Sequence, residues 1–523
     1  MDSTHAFPRT LPRIFTSALN RHPELPAIRF RSAELTYREL NRQSNAIANG
    51  FVASGIQPED RIAVLLSNRI ETPIVDIATF KAGGARLPIN PALSRSEIEY
   101  VLSDSHATAV VCDDDTRPIV DAIRSTVPPE VCITTESEPP SGWRSIEQFE
   151  SYHDNDCPPS VSVTPESIAG HFYTGGTTGD PKGVCYTHAC LTANFLAHLL
   201  ELGFEESDIG LVSTPLSHSG GTFLLSGLLA GGTVVIQRSF DIGRTIEAID
   251  AHDVTWTFLV PTMLYRLLDE GTSRTDLESI DRIIYGAAPI QPDRLREAID
   301  RFGPIFVQFY GQTEVPNLIS TLDRRDHALA IRDGHNDLLR AAGKPCRLVD
   351  LRIVDPDTGR DVLPGDHGEI VVSSPYTFAK YFERPKVTDQ TLRDGWVHTG
   401  DIGRIDDKGY LFLVDREGDV VVSGGMNVYT REVERVLGEH PAVESIAVIG
   451  VPHDDWGEAV HAVVVSAEDI GEDSLRRHVD DRLAGYKLPK SYEFVDRLPM
   501  TPLGKPDKEA LRDLHWDGDR RIG

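Results

Sequence analysis

Short, mostly apolar runs separated by helix-length amphipathic stretches constrain this 523-residue chain more than any other feature. Residues 62–66 and Ala109–Cys112, then 233–237, 256–260, 282–285 and 305–309, lack the polar alternation of a half-exposed strand. Such runs fit strands buried on both faces, and their alternation with helical patterns predicts strand–helix–strand units of a largely parallel sheet. Helices are predicted over Glu71–Lys81 and over 36–55. The second opens on Thr36 with Glu39 three residues on, the spacing of a capping box.

The texture changes along the chain. A Pro- and acid-rich stretch over 136–165 reads as a loop between lobes. Beyond Pro345, Asp350–Val354, 368–372 and 410–414 read as hairpin strands with Asp/Gly turns. From Gly418 a smaller α+β unit follows, with helices at 431–437 and 474–483 and strands at 446–450 and 460–465. The division expected is a large region over 1–415, a hinge at 416–419 and a mobile lid over 420–523. A chain of this length exceeds one ordinary core.

Composition removes several partner classes. Fifty-two basic against 80 acidic side chains give a formal charge of −28. Such a surface repels phosphate backbones and anionic lipid, which argues against nucleic-acid or membrane partners. The longest apolar stretch, 223–236, is broken by Gly227, Gly231 and Gly232 and is short for a bilayer. The N-terminus shows no basic start followed by an apolar run, so a cytoplasmic protein is expected. Six scattered cysteines form no CxxC pair, so neither a zinc site nor a disulfide framework is indicated.

Five motifs carry candidate chemistry. Tyr173-Thr-Gly-Gly-Thr-Thr-Gly-Asp-Pro-Lys-Gly183 follows a strand-like lead-in and precedes a helix-like stretch from Thr187. Small residues with accessible N–H groups and hydroxyls can wrap phosphate oxygens, and Lys182 adds a mobile cation. The spacing is neither GxxxxGK[ST] nor GxGxxG; a plain turn is the structural alternative. Tyr310-Gly-Gln-Thr-Glu314 stands after the strand-like 305–309, at the carboxyl end where α/β sheets place ligands. Tyr310 could stack on a base, Thr313 donate to a phosphate and Glu314 hold a magnesium ion; a solvated polar loop is the alternative. In Trp396-Val-His-Thr-Gly-Asp401 a carboxylate past a glycine suits ribose hydroxyls, though Gly-Asp turns are common. Asp415-Arg-Glu-Gly-Asp-Val-Val-Val-Ser-Gly-Gly-Met-Asn427 offers the donor fork of Arg416 and, at Gly424 and Gly425, room for a thin ligand arm. Leu498-Pro-Met-Thr-Pro-Leu-Gly-Lys505 places a lysine behind a Pro/Gly-rich turn.

In this order the five motifs resemble the acyl-adenylate-forming enzymes: acyl- and aryl-CoA synthetases, carrier-loading adenylation domains and luciferases. The resemblance runs from Leu35-Thr-Tyr-Arg-Glu-Leu40 to Lys505 and includes Lys81-Ala-Gly-Gly-Ala85, Pro88-Ile-Asn-Pro91 and Gly286-Ala-Ala-Pro289. It implies an α/β fold, with mostly parallel sheets and a small distorted β-barrel in the N-terminal region and a small α+β lid. It implies that Thr174, Gly175, Gly176, Thr177, Thr178 and Lys182 hold the β,γ-phosphates of ATP. Gly286, Ala287, Ala288, Tyr310 and Gly311 would line the adenine, Thr313 would touch the α-phosphate and Glu314 would bind Mg²⁺. Asp401 and Arg416 would bind the ribose, Gly424 and Gly425 would border the thiol channel, and Lys505 would bridge the substrate carboxylate and the α-phosphate. The chain departs from the family pattern at Gly418, where Lys or Asp is usual, at Gly175, where Ser or Thr is common, and at Ser373-Ser-Pro-Tyr376, where a glycine is frequent.

The acyl pocket is expected near Thr214-Pro-Leu-Ser-His-Ser-Gly-Gly221, 256–263 and the loop after Glu314, with His218 lining it or serving as an ordinary structural histidine. The stretch 214–223 lacks the aspartate with which amino-acid-activating members pair an ammonium. The expectation is therefore a fatty, aryl or polycyclic acid. Few residues follow Lys505, which favours free coenzyme A over a fused carrier. Three readings stay open: a CoA synthetase, a free-standing enzyme loading a separate carrier protein, and a nucleotide-binding protein that has lost catalysis. A homodimer is also left open.

Overall fold

The computed structural model describes residues 10–516 except 127–128, 152–155, 175–180, 289, 333, 424–425, 454–455, 469, 481 and 502–504, and leaves out the side chains of Asn336, Arg416, Glu417, Asn427 and Gly457. The chain divides into two compact units: 1–174, 182–350 and 372–397 form the first, and 175–181, 351–371 and 398–523 the second.

Two sheets build the first unit. In the nine-stranded sheet, the order is Lys344–Pro345, Val315–Leu322, Phe306–Gln312, Arg282–Gly286, Trp256–Leu259, Ile209–Val212, Thr233–Ile236, Pro26–Phe30 and Ala33–Thr36. The six strands from Phe306–Gln312 to Pro26–Phe30 are parallel, as expected for the apolar runs 233–237, 256–260, 282–285 and 305–309 among them, and the antiparallel pairs lie at the two edges. Strand Ile209–Val212 has its sequence successor on one side and Trp256–Leu259 on the other. The winding direction therefore reverses there, and the carboxyl ends at such a switch point open a crevice for ligands. The eight-stranded sheet runs Lys380–Tyr381, Gly183–Thr187, Ile168–Tyr173, Ala85–Pro88, Arg61–Leu65, Ala109–Cys112, Val131–Thr134 and Arg144–Ser145.

Helix Tyr37–Ala53 carries the expected capping box: Thr36 accepts from the Glu39 N–H and the Glu39 carboxylate accepts from the Thr36 N–H. Helix Glu71–Lys81 is where the pattern put it. Its final residue explains part of the family signature. Lys81 is buried, and its Nζ donates to Asn41 Oδ1 (2.7 Å), Ser44 Oγ (2.8 Å) and Asn45 Oδ1 (2.7 Å). The lysine straps two helices together, and only this cage of oxygens makes its burial tolerable.

One local expectation is corrected. The stretch 136–165 holds a short strand, Arg144–Ser145, and a helix, Ile146–Ser151. Phe149 of that helix packs on Phe51 with ring centroids 5.7 Å apart, and a Cβ at Gly50 would lie 2.4 Å from its ring. Tertiary packing, which local composition does not record, makes this helix. The apolar stretch 223–236 is the end of helix Ser219–Ala230 followed by strand Thr233–Ile236. Among the described residues no helix is long and apolar enough to cross a membrane.

In the second unit, strands Gly457–Ser466 and Val443–His453 pair antiparallel beside Val421–Ser423, Met426–Val428 and Ser491–Phe494. Helices Thr430–Gly438 and Glu472–Asp480 bury Val433, Val436, Leu437, Leu475 and Val479 against Val448, Val460 and Val464. The strands expected as hairpins pair in the order Asp350–Val354, Gly368–Ser373, Trp396–Ile405 and Leu392–Arg393, with Leu411–Arg416 also on Trp396–Ile405. Gly418 sits in the 3₁₀ turn Glu417–Asp419, and a Cβ there would meet nothing within 4 Å.

Candidate active site

The Gly/Thr-rich motif joins two paired strands. Strands Ile168–Tyr173 and Gly183–Thr187 pair antiparallel, so a strand stands between the motif and helix His188–Leu202. The helix-like stretch expected from Thr187 is this helix, with Thr187 as its N-cap accepting from the Cys190 N–H; the intervening strand carries no mark in the motif itself. The loop is closed at its base by a reciprocal pair: Thr174 N–H donates to the Lys182 carbonyl (3.1 Å) and Lys182 N–H donates to Thr174 Oγ1 (3.1 Å). Gly175, Gly176, Thr177 and Thr178 lie outside the described residues. Gly183 has a packing reason: a Cβ there would fall 2.0 Å from His171 Nε2.

The second motif is a hairpin. Strand Phe306–Gln312 continues through Tyr310 and Gly311 instead of ending before them, and Gln312 pairs with Val315, which leaves Thr313 and Glu314 as the turn. A Cβ at Gly311 would lie 2.4 Å from the Asn317 backbone, and one at Gly286 would lie 2.4 Å from the Phe309 carbonyl. Close backbone approach therefore requires glycine at both positions. Strand Arg282–Gly286 ends at Ala287, which has φ 63°. The chain leaves the sheet sharply at Ala287 and Ala288.

Glu314 is 8% exposed, and its Oε1 accepts from Tyr381 Oη at 2.5 Å. Its carbonyl accepts from Phe378 N–H (2.9 Å), and the Tyr186 hydroxyl donates to the Thr313 carbonyl. Lys182 Nζ stands 5.6 Å from the Tyr381 ring centroid. The first and second motifs, 131 positions apart from Lys182 to Thr313 in the sequence as numbered, are thus joined through one tyrosine. Tyr381 and Tyr186 escaped sequence reasoning. Tyr381 belongs to a two-residue strand paired with Gly183–Thr187, and no local pattern marks it. Within Ser373-Ser-Pro-Tyr376, Tyr376 is buried and donates to the Leu318 carbonyl (2.5 Å).

Two of the segments expected around the acyl pocket, 214–221 and the hairpin after Glu314, are tied together. Asn68 clamps the loop after Val212, donating to the Thr214 carbonyl (2.8 Å) and accepting from the Leu216 N–H (2.9 Å). Arg86 donates to the Leu216 carbonyl (3.0 Å) and is itself locked to Asp76 at 2.6 Å, with both side chains 2% exposed. Ser219 donates to Asn317 Oδ1 (2.8 Å), Asn317 Nδ2 lies 3.3 Å from His198 Nε2, and His198 Nδ1 lies 3.0 Å from Ser226 Oγ. This chain ties 214–221 to the hairpin after Glu314. His218 stands at the start of helix Ser219–Ala230, with Nδ1 2.9 Å from the Ser217 carbonyl. Burial lowers its pKa, and Arg86 acts in the same direction, so the imidazole is neutral near pH 7.

In the second unit, Asp401 and Arg416 are direct partners across the antiparallel pair Trp396–Ile405 and Leu411–Arg416. Asp401 is 8% exposed and follows Gly400 with φ 66°. His398 Nδ1 lies 2.7 Å from Glu369 Oε2 and the Gly400 N–H donates to Glu369 Oε1 (3.1 Å), which fixes the bend ahead of Asp401. Lys505 belongs to this unit. Its N–H donates to Thr501 Oγ1 (3.2 Å) and its carbonyl accepts from Thr501 N–H (2.7 Å). Gly424 and Gly425 lie outside the described residues.

Comparison with known proteins agrees with this layout. The family model of AMP-binding enzymes matches residues 15–382, and that of the AMP-binding enzyme C-terminal domain matches 432–505. A feruloyl-CoA synthase of an Amycolatopsis species is 38% identical over 495 residues, covering 94% of this chain and 96% of its own. The medium/long-chain-fatty-acid–CoA ligase FadD8 of Mycobacterium tuberculosis is 35% identical over 524 residues, covering 97% of this chain and 90% of its own. Among solved structures, ATP-bound MatB from Rhodopseudomonas palustris is similar with a TM-score of 0.87 at 32% identity, covering 97% of this chain and 99% of that one.

Proposed function

The chain belongs to the AMP-binding enzyme family, and from that premise we propose that it is an AMP-forming acyl-CoA synthetase acting on a carboxylic acid without an α-amino group. The observation that carries the site assignment is the Lys182–Tyr381–Glu314 arrangement: a cation at the base of the phosphate-type loop and a buried carboxylate on one tyrosine. Support for the acid class comes from Asp76. It is the buried carboxylate tied to the 214–218 loop through Arg86, and that guanidinium already neutralises it. A substrate ammonium would compete for it against a buried ion pair.

The reaction needs two displacements. The substrate carboxylate attacks the α-phosphorus of ATP, and the bond to pyrophosphate breaks. The thiol of CoA then attacks the acyl carbon, and the bond to AMP breaks. In the first step two anions meet, so cations and donors fixed beforehand supply most of the acceleration. We assign Thr174 and Lys182, with Thr177 and Thr178, to the departing phosphates, Thr313 to the α-phosphate, and Asp401 and Arg416 to the ribose. Glu314 suits magnesium, because a carboxylate is a hard oxygen donor and Tyr381 orients this one. When bound, Mg²⁺ neutralises charge on the phosphate oxygens. His218, neutral and at a helix start beside the clamped loop, is assigned to the wall of the acyl site. Lys505 is assigned to the charge between carboxylate and α-phosphate, delivered by a lid turning about 416–419, and Gly424 and Gly425 to the thiol path.

The test is AMP release across fatty, aryl and polycyclic acids, with CoA, with a purified acyl carrier protein, and with neither. Release that depends on CoA and on one acid class is expected. AMP only with the carrier protein would replace CoA as acceptor, and none with any acid would overturn the reading.

A further inference from the structure

The second unit carries a cluster of metal-type ligands that the reaction above does not use. Strands Gly457–Ser466 and Ser491–Phe494 are parallel, with His461 opposite Ser491 and Val463 opposite Glu493. Side chains two apart share a face, so His461, Val463 and Val465 line up with Ser491 and Glu493. Helix Lys508–Asp513 covers that face, with Leu511 packed into the cluster of Val463 and Val465. The chain beyond the helix is pinned: His515 N–H donates to the Arg512 carbonyl (2.8 Å) and Trp516 Nε1 to the Gly450 carbonyl (3.0 Å). His515 is thereby directed at His461 and Glu493, and the three side chains come from three separate elements.

We propose that His461, Glu493 and His515 form a site for a borderline divalent transition-metal ion of the Zn²⁺ class. One ligand atom from each residue lies within 4.8 Å of the others. His461 Nε2 is 3.4 Å and His515 Nε2 is 3.5 Å from Glu493 Oε2. These separations are long for hydrogen bonds to a carboxylate, which run about 2.7–2.9 Å. They match the ligand–ligand edge, about 3.3 Å, of a tetrahedron whose metal–ligand bonds are about 2.0–2.1 Å. Two features are those of a built site. Ser491 Oγ, 2.7 Å from His461 Nδ1, fixes that ring so that Nε2 faces the cluster. His515 Nε2 is shielded from solvent and makes no hydrogen bond, so a buried ring nitrogen points at the cluster without a close partner. The Glu493 side chain is 41% exposed, which leaves an entry path and a position for water. Two imidazoles and one carboxylate favour zinc-class ions over magnesium, so the site is chemically separate from Glu314. A bound ion would tie the chain beyond Lys505 to the sheet beneath it.

The experiment uses the full chain, stripped with chelator and free of nucleotide, titrated with Co²⁺ and read by visible d–d absorption. Zn²⁺ displacement follows. One Co²⁺ per chain with a four- or five-coordinate spectrum is expected, abolished in His515→Ala and in Glu493→Gln and weakened about tenfold in Ser491→Ala. Zn²⁺ should also raise the melting temperature of the wild type and not that of His515→Ala. Retained circular dichroism and AMP formation in the variants show that they fold. Identical Co²⁺ titrations in wild type and His515→Ala, or no binding at about 100 µM Co²⁺, would overturn the proposal.

Discussion

Glu314 is buried at the turn of a hairpin, and Tyr381 donates to it from 67 positions away. A hydrogen bond to a charged group contributes about 1.5–3 kcal/mol. Tyr381→Phe is therefore expected to lower kcat/KM for MgATP by about 10- to 100-fold, with KM for the acid little changed. Steady-state pyrophosphate release against MgATP checks this, and wild-type kinetics would remove Tyr381 from the positioning of Glu314. Glu314 was legible because a carboxylate at the end of a Tyr-Gly-Gln-Thr run carries its own local signature. Tyr381 was not, because its relevance arises only when Lys380–Tyr381 pairs with Val184 and Cys185. Lys81 shows the converse: its place in a family signature was legible, and its physical reason, a cage of Asn41, Ser44 and Asn45, was not.

Elements whose signal is local match their expectation. The capping box of Tyr37–Ala53, the helix Glu71–Lys81 and the strand Ala109–Cys112 are of this kind. Elements made by distant contacts do not, as with Ile146–Ser151, which stands on Phe51, and the strand Gly183–Thr187 that pairs with Ile168–Tyr173. The loop after Val212 combines both. Its sequence marks it for the expected acyl pocket, while its clamp by Asn68 and Arg86 carries no local mark. Arg86→Met leaves the buried Asp76 carboxyl without its ion-pair partner, in an interior that already pushes its pKa upward against Arg86. The expected destabilisation is about 3–5 kcal/mol, read as a lowered denaturant midpoint. Adding Asp76→Asn should recover much of the loss, and a single variant as stable as the parent would contradict the clamp.

Across the first unit, acid sensitivity follows from histidines buried in the neutral form. Burial pushes His171 and His198 down to about 3 and His188 and His327 down to about 4. The unfolded chain protonates these groups near pH 6.5. Stability from them is intact above that value and is lost as pH falls toward their folded values. Glu150, raised to about 7 chiefly by burial, acts in the opposite sense over part of that window. The net expectation is a loss of roughly 4 kcal/mol per unit near pH 5.5. Calorimetry at pH 7, 6 and 5 checks it, and a flat melting temperature would contradict it. At this scale the order of motifs already pointed to the family that both family models match. What the sequence left unread was which of its signature residues serve packing.

The central claim is that Lys505, carried on the second unit, supplies charge to adenylation and not to thioester formation. The direct measurement is the pair of half-reaction rates for Lys505→Ala: acyl-adenylate formation from acid and ATP, and thioester formation from preformed acyl-adenylate and CoA. Adenylation is expected to fall by about 10²- to 10³-fold, the loss typical of removing one charge stabiliser, while thioester formation stays near wild type. An equal fall in both rates, or none in adenylation, would contradict the account.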